Sequence, residues 1–132
     1  MVKKLKTIII GFGEFASGRS NDKKIKKFYN YFSHASILKE HKKFKWDAVV
    51  DLNKEARSYA RNNFGIPIVT DKLENLPNNY EPDVAVISTP PNLRIKVLEN
   101  LKVKKGLIVE KPIGMTYADS LKFKDLCKKK KK

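Results

Sequence analysis

The stretch Ile8-Ile9-Ile10-Gly11-Phe12-Gly13-Glu14-Phe15-Ala16 constrains this chain more than any other. Consecutive β-branched residues without polar alternation suit a strand buried on both faces of a parallel sheet. Glycines then stop the run at positions 11 and 13. Gly11 permits a backbone turn that a β-carbon would forbid, and Gly13 leaves room for a pyrophosphate beside the main chain. Ala16 is small enough for helix and strand to pack closely. A helix opening here would turn its free amides toward an anion. The same spacing also describes a tight turn after a core strand, so the stretch needs support from the rest of the chain.

Support comes from the order of elements. Apolar runs at residues 5–10, 46–51, 66–69, 83–88 and 107–109 read as strands, and helical patterns separate them. Asn53 caps a helix reaching about Asn63, with Ala56, Tyr59 and Ala60 inward, and Gly65 stops it. Asp71 opens a short helical turn to Leu76. Asn92 is positioned to cap a helix whose face is Leu93, Val97, Leu98 and Leu101, and Thr116 to cap a last one containing Ala118, Leu121 and Leu126. Alternation of this kind predicts an α/β fold: a Rossmann-like, doubly wound parallel sheet flanked by helices. It occupies a single domain over residues 1–127, followed by a lysine tail at 128–132.

The first crossover is long. Asp51 lies 38 positions after Gly13, where about 20 is usual in such a unit, so residues 18–34 or thereabouts read as an inserted loop and helix. Ile25, Phe28, Tyr29 and Phe32 fall at i, i+3, i+4 and i+7, which predicts a helix over 22–32 with an apolar face at least partly covered. A partner-binding or lid face is the other reading. His34 and His41 read as structural or exposed, because no cysteine or acidic cluster at metal-ligand spacing accompanies them, and no metal site is expected.

Charge needs care in a chain of 132 residues carrying a formal +15. Only four of its 29 basic residues are arginines, and removing the five lysines of 128–132 still leaves +10. Bidentate recognition of bases and phosphates favours arginine, whereas scattered lysine gives a solvated surface with non-specific attraction to polyanions. Specific nucleic-acid binding is therefore not expected. No run of 18 apolar residues occurs, so no membrane span or membrane partner is predicted. The lone Cys127 excludes an internal disulfide and fits a reducing, cytoplasmic setting.

The chemistry-bearing residues all fall where strands end. A carboxylate at Asp51 can accept hydrogen bonds from both hydroxyls of an adenosine ribose, although a helix-capping aspartate would occupy the same position. It would repel a 2′-phosphate by about 4 kcal/mol at 4 Å and an effective dielectric of 20, favouring NAD over NADP, while Lys54 and Arg57 could soften the choice. Ser88-Thr89-Pro90-Pro91-Asn92 forms a stiff loop presenting backbone and Thr89 above the sheet edge. Val109-Glu110-Lys111-Pro112 fixes a lysine between an acid and a proline, where its ammonium could orient a hydroxyl and take part in proton transfer. In isolation that tripeptide would read as a surface turn.

Together, the Gly11–Ala16 turn, Asp51, the Ser88–Asn92 loop and Glu110-Lys111-Pro112, in this order, resemble the Gfo/Idh/MocA family, named for glucose–fructose oxidoreductase and inositol dehydrogenase. The resemblance covers nearly the whole chain. It implies that Gly11, Phe12, Gly13, Glu14, Phe15 and Ala16 hold the pyrophosphate of NAD and Asp51 its adenosine ribose. Thr89 and Pro90 would line the nicotinamide side, and Ser88, Asn92, Glu110, Lys111 and Pro112 would also bind the cofactor. Lys111 would touch both nicotinamide ribose and substrate and act as the catalytic residue.

Departures accompany the match. Family members often carry histidine where this chain has Arg94. The family's second, α+β domain, which supplies most of the substrate pocket and an acid–base pair, has no counterpart here, and the terminal lysines read as the end of a truncated product or excised domain. The expected function is thus the nucleotide-binding part of an NAD(P)-dependent oxidoreductase acting on a sugar, sugar-nucleotide or polyol, inactive alone. A stand-alone basic Rossmann module that binds a dinucleotide or an anionic partner without catalysis is the alternative.

Overall fold

A computed structural model describes residues 2–18, 27–29 and 31–131. Strands β1 (Leu5–Ile10), β2 (Phe44–Val50), β3 (Ile68–Thr70), β4 (Val84–Ile87) and β5 (Gly106–Val109) form one sheet in the order β3-β2-β1-β4-β5. Every pairing is parallel. The chain starts at the centre, winds to one edge, returns, and winds to the other, so the strand order reverses between β1 and β4. In an open α/β sheet such a reversal leaves a crevice at the strands' carboxyl ends.

Helices α1 (Glu14–Ser17), α2 (His34–Glu40), α3 (Lys54–Phe64), α4 (Arg94–Asn100) and α5 (Tyr117–Lys130) cover both faces. Strand residues alternate between those faces. Ile9, Val49 and Val86 bury against Ala16 of α1, Ala35 and Leu38 of α2, and Ala56 and Ala60 of α3. Ile8, Ile10, Ala48, Val50, Ala85 and Ile87 point the other way, onto Leu98 of α4 and Phe123 of α5.

Several ends of elements follow the predicted chemistry. Asn53 caps α3 by accepting the Ala56 N–H at 3.0 Å, and Gly65 closes it in the left-handed region at φ 62°. Thr116 caps α5 by accepting the Asp119 N–H at 3.1 Å. Other expectations are corrected. β2 begins at Phe44 rather than Trp46, and its last residue is Val50. The glycine turn leads into a single helical turn, because Gly18 ends α1 in the left-handed region at φ 66°. Asn92 does not cap α4: Pro91–Leu93 form a 3-10 turn, the helix opens at Arg94, and Leu93 sits at the cap position with no side-chain bond. In α5 the buried residue is Phe123 (4% exposed), while Leu121 (41%) faces outward and Ala118 is exposed. The lysine run set apart from residue 128 is helical through Lys130, whose ammonium donates to the Leu101 carbonyl at 3.1 Å.

Most of the expected helix at 22–32 lies outside the described residues. Of its predicted face, Phe28 (75%) and Tyr29 (65%) are exposed, Phe32 is half-buried, and Ile25 lies outside the described residues. On the face covered by α1, α2 and α3, Phe12, Trp46, Tyr59 and Phe64 form an aromatic cluster with ring centroids 5.1–6.3 Å apart.

The amino-terminal edge of the sheet is closed by local pairing. Asp83 accepts the Lys6 amide N–H at 2.9 Å and faces Lys105 at 3.6 Å, and the amide together with that lysine holds its carboxyl below the usual range. Tyr80 donates to buried Asp47 at 2.6 Å, and burial together with that carboxylate pushes its phenol up. The carboxyl edge is built differently.

Candidate functional site

Strand register brings the carboxyl ends level. Ile10 pairs with Val50 and Ile87, Val50 with Thr70, and Ile87 with Val109. The residues that follow, Gly11, Asp51, Asp71, Ser88 and Glu110, therefore emerge along one edge. Four of the five are tied to a neighbouring strand by backbone: Gly11 N–H to Val50 O at 2.8 Å, Asp51 N–H to Thr70 O at 3.0 Å, Ser88 N–H to Ile10 O at 2.8 Å, Glu110 N–H to Ile87 O at 3.0 Å. Above this edge opens a cleft of 860 Å³, within the range of small-molecule and cofactor sites.

Of the predicted site residues, Gly11, Gly13, Phe15, Asp51, Ser88, Thr89, Pro90, Glu110, Lys111 and Pro112 line that cleft. The others stand elsewhere. Phe12 and Ala16 are buried in the core, so only their backbones face the turn, and exposed Glu14 and Asn92 lie outside the lining. Sequence reasoning also missed the floor supplied by Lys72, Leu73 and Glu74.

The two glycines differ in what holds them. Gly11 has φ +85°, and a β-carbon there would lie 2.7 Å from both Ser88 C and Thr89 N. It is glycine because β1 and the Ser88–Thr89 loop meet backbone to backbone. Gly13 has an ordinary φ of −72°, and no atom lies within 4 Å of the place a β-carbon would take. Its missing side chain leaves open space on the cleft side, which suits the close approach of a phosphate to the main chain.

Asp51 is not a free carboxylate. One oxygen accepts the Phe12 N–H at 2.6 Å and the other the Asn53 N–H at 2.7 Å, so it braces the glycine turn from the neighbouring strand. A carboxylate has about four acceptor sites, which leaves capacity for ribose hydroxyls. Arg57 donates to the carbonyls of Asp51 at 2.9 Å and Leu52 at 2.8 Å, placing a cation beside the same corner.

At the other end, Arg94 connects the two loops. Its side chain is 3% exposed; Nε donates to Thr89 O at 2.9 Å and Nη1 to the carbonyls of Glu110 and Pro112. Burial lowers its pKa, opposed by the nearby Glu110 carboxylate. A sequence signal existed: Arg94, Val97, Leu98 and Leu101 share one helical face, with arginine in a core position. The Lys111–Pro112 peptide is cis. His34, expected to be structural or exposed, has Nε2 2.5 Å from Glu110 Oε1. The helix start that places it is set by a capping box in which Ser33 and Ser36 each accept the other's N–H at 3.1 Å.

The cleft fits an extended dinucleotide. Asp51 and Glu110 end strands three places apart in the sheet, a span of about 14 Å at about 4.8 Å per strand. The buried Thr89 hydroxyl has no hydrogen-bond partner among the described residues, an orphan of the kind a ligand satisfies. Among those residues no group of His, Cys, Asp or Glu could hold a metal ion, and no helix is long and apolar enough to cross a membrane.

Known proteins share this fold. By backbone comparison the chain is similar to scyllo-inositol dehydrogenase from Lactobacillus casei, solved with NAD(H) and scyllo-inositol (TM-score 0.71, 18% identity, 97% of this chain and 34% of that one). It is similar to the WlbA dehydrogenase from Bordetella pertussis, solved with NADH and UDP-GlcNAcA (TM-score 0.69, 19% identity, 97% and 35%). It also resembles an oxidoreductase from Agrobacterium radiobacter solved with NAD+, L-tartaric acid and magnesium (TM-score 0.71, 19% identity, 97% and 33%). The chain spans about a third of the length of each. No curated protein sequence matches it. The family model described as an oxidoreductase family with an NAD-binding Rossmann fold, GFO_IDH_MocA, matches residues 5–132. The chain belongs to the Gfo/Idh/MocA oxidoreductase family, and what it holds is that family's NAD-binding Rossmann domain.

Proposed function

We propose that these residues are the cofactor-binding part of an NAD-dependent oxidoreductase whose substrate is a polyol, sugar or sugar-nucleotide. One juxtaposition carries the reading: Asp51, Gly11–Gly13, Thr89–Pro90 and Lys111 follow one another along β2, β1, β4 and β5 and line a single cleft. The polyol and the sugar-nucleotide bound in the similar dehydrogenases suggest the substrate class. Asp51 receives the adenosine ribose, the open side of Gly13 the pyrophosphate, and Thr89 and Pro90 border the nicotinamide. When bound, the nicotinamide supplies the site that exchanges hydride with substrate. Lys111, exposed at the cleft rim, orients the substrate hydroxyl and takes part in moving its proton. Substrate choice and closure of the cleft are assigned to a second unit, as the family resemblance implies.

Asp51 makes NAD the preferred cofactor over NADP, since a 2′-phosphate would meet its charge. Arg57, held beside that corner by two carbonyls, softens this preference without removing it. Calorimetric titration with NADH and NADPH tests the assignment. NADH should bind more tightly, and Asp51→Ser should narrow the difference. Equal or tighter NADPH binding by the unaltered chain would overturn it.

A further inference from the structure

The turn that carries Lys111 is held from both faces of the sheet. From α4, the Arg94 guanidinium donates to the carbonyls of Glu110 and Pro112 and fixes the backbone of the turn. From α2, on the opposite face, His34 Nε2 engages Glu110 Oε1 at 2.5 Å. That second contact is partly screened from water, with the His34 and Glu110 side chains 20% and 31% exposed. Lys111 follows Glu110 in that turn and makes no ion pair among the described residues.

Glu110 is the acid closest in sequence to Lys111, and in a turn adjacent side chains can converge. A carboxylate left free there would draw the lysine ammonium onto itself. We propose that His34 is a positioning residue for Lys111: by holding Glu110 Oε1 it fixes the turn and keeps the carboxylate from capturing the lysine, which stays directed over the β4–β5 end of the cleft. This inference rests on the cofactor reading above, in which the nicotinamide ribose lies at that end and the adenosine at Asp51. It assigns a role to a residue within the long first crossover, outside every motif that carries the family resemblance.

The two ends of the cofactor can be separated by ligand. NADH spans the whole cleft, whereas ADP lacks both the nicotinamide and its ribose and reaches only Asp51 and the glycine turn. His34→Ala should weaken NADH by about tenfold, the worth of one charge-assisted hydrogen bond, and leave ADP within about twofold. A glutamine amide nitrogen reaches as far as imidazole Nε2 and an asparagine does not, so His34→Gln should restore the ratio of the two affinities and His34→Asn should not. If the alanine variant melts before titration, that Gln–Asn pair decides alone. Parallel loss of both ligands, an unchanged NADH affinity, or equal ratios in the Gln and Asn variants overturns the positioning role. An unaltered chain that binds neither ligand overturns the cofactor reading itself, and this inference with it.

Discussion

Gly11 and Gly13 stand two positions apart in the sequence and are glycine for different reasons, which substitution can separate. Gly11→Ala places a β-carbon against the Ser88–Thr89 backbone at a positive φ and should cost about 2–4 kcal/mol of stability. Gly13→Ala meets open space and should change stability by a few tenths of a kcal/mol, yet weaken NADH by about tenfold or more through the lost approach to phosphate. Thermal melts paired with NADH titrations check both, and similar melting losses in the two variants would refute the distinction. This difference was not legible in the sequence, where both glycines read as parts of one motif. Asp51 was placed correctly at a strand end, but its grip on the Phe12 amide was not foreseeable, because it depends on β1 and β2 being neighbours. His34 carried no local signal at all. Its partner lies 76 positions away.

At the scale of elements, buried strands were the most legible because an unbroken β-branched run has few alternatives. Ile8–Ile10, Val49–Val50 and Val84–Ile87 all lie in the sheet. Helix faces were harder to read. In α4 the inward face includes Arg94 because its charge is met by carbonyls from the adjoining loops, a compensation that hydrophobic patterning cannot anticipate. In α5 the apolar pattern pointed to Ala118, Leu121 and Leu126 and passed over Phe123, which packs with Leu98 of α4 in the core. Phe123→Ala should therefore destabilise the domain by about 3–5 kcal/mol, whereas Leu121→Ala should stay within about 1 kcal/mol. Urea unfolding of both variants measures this, and a reversed order would mean that α5 packs in another rotation. The exposure of Phe28 and Tyr29 was not legible, because a helical stripe marks which residues are apolar and not what packs against them.

Across the whole molecule, charge and cleft are separable features. The +15 net charge is spread over lysines, and any retention on DNA or heparin should fall steeply between about 50 and 200 mM salt. It should fall further when residues 128–132 are deleted, a change that also removes the Lys130 contact with Leu101. Sequence-selective DNA binding that survives the deletion at physiological salt would favour a basic binding module instead. The central claim is that the cleft at the carboxyl edge of the sheet is the cofactor site, and amide chemical-shift mapping during an NAD+ titration tests it most directly. Shifts should concentrate in residues 11–15, 51–52, 88–89 and 110–111, with little change at Lys6, Asp83 and Lys105 on the opposite edge. Shifts scattered over the lysine-rich surface, or gathered at that opposite edge, would contradict the account.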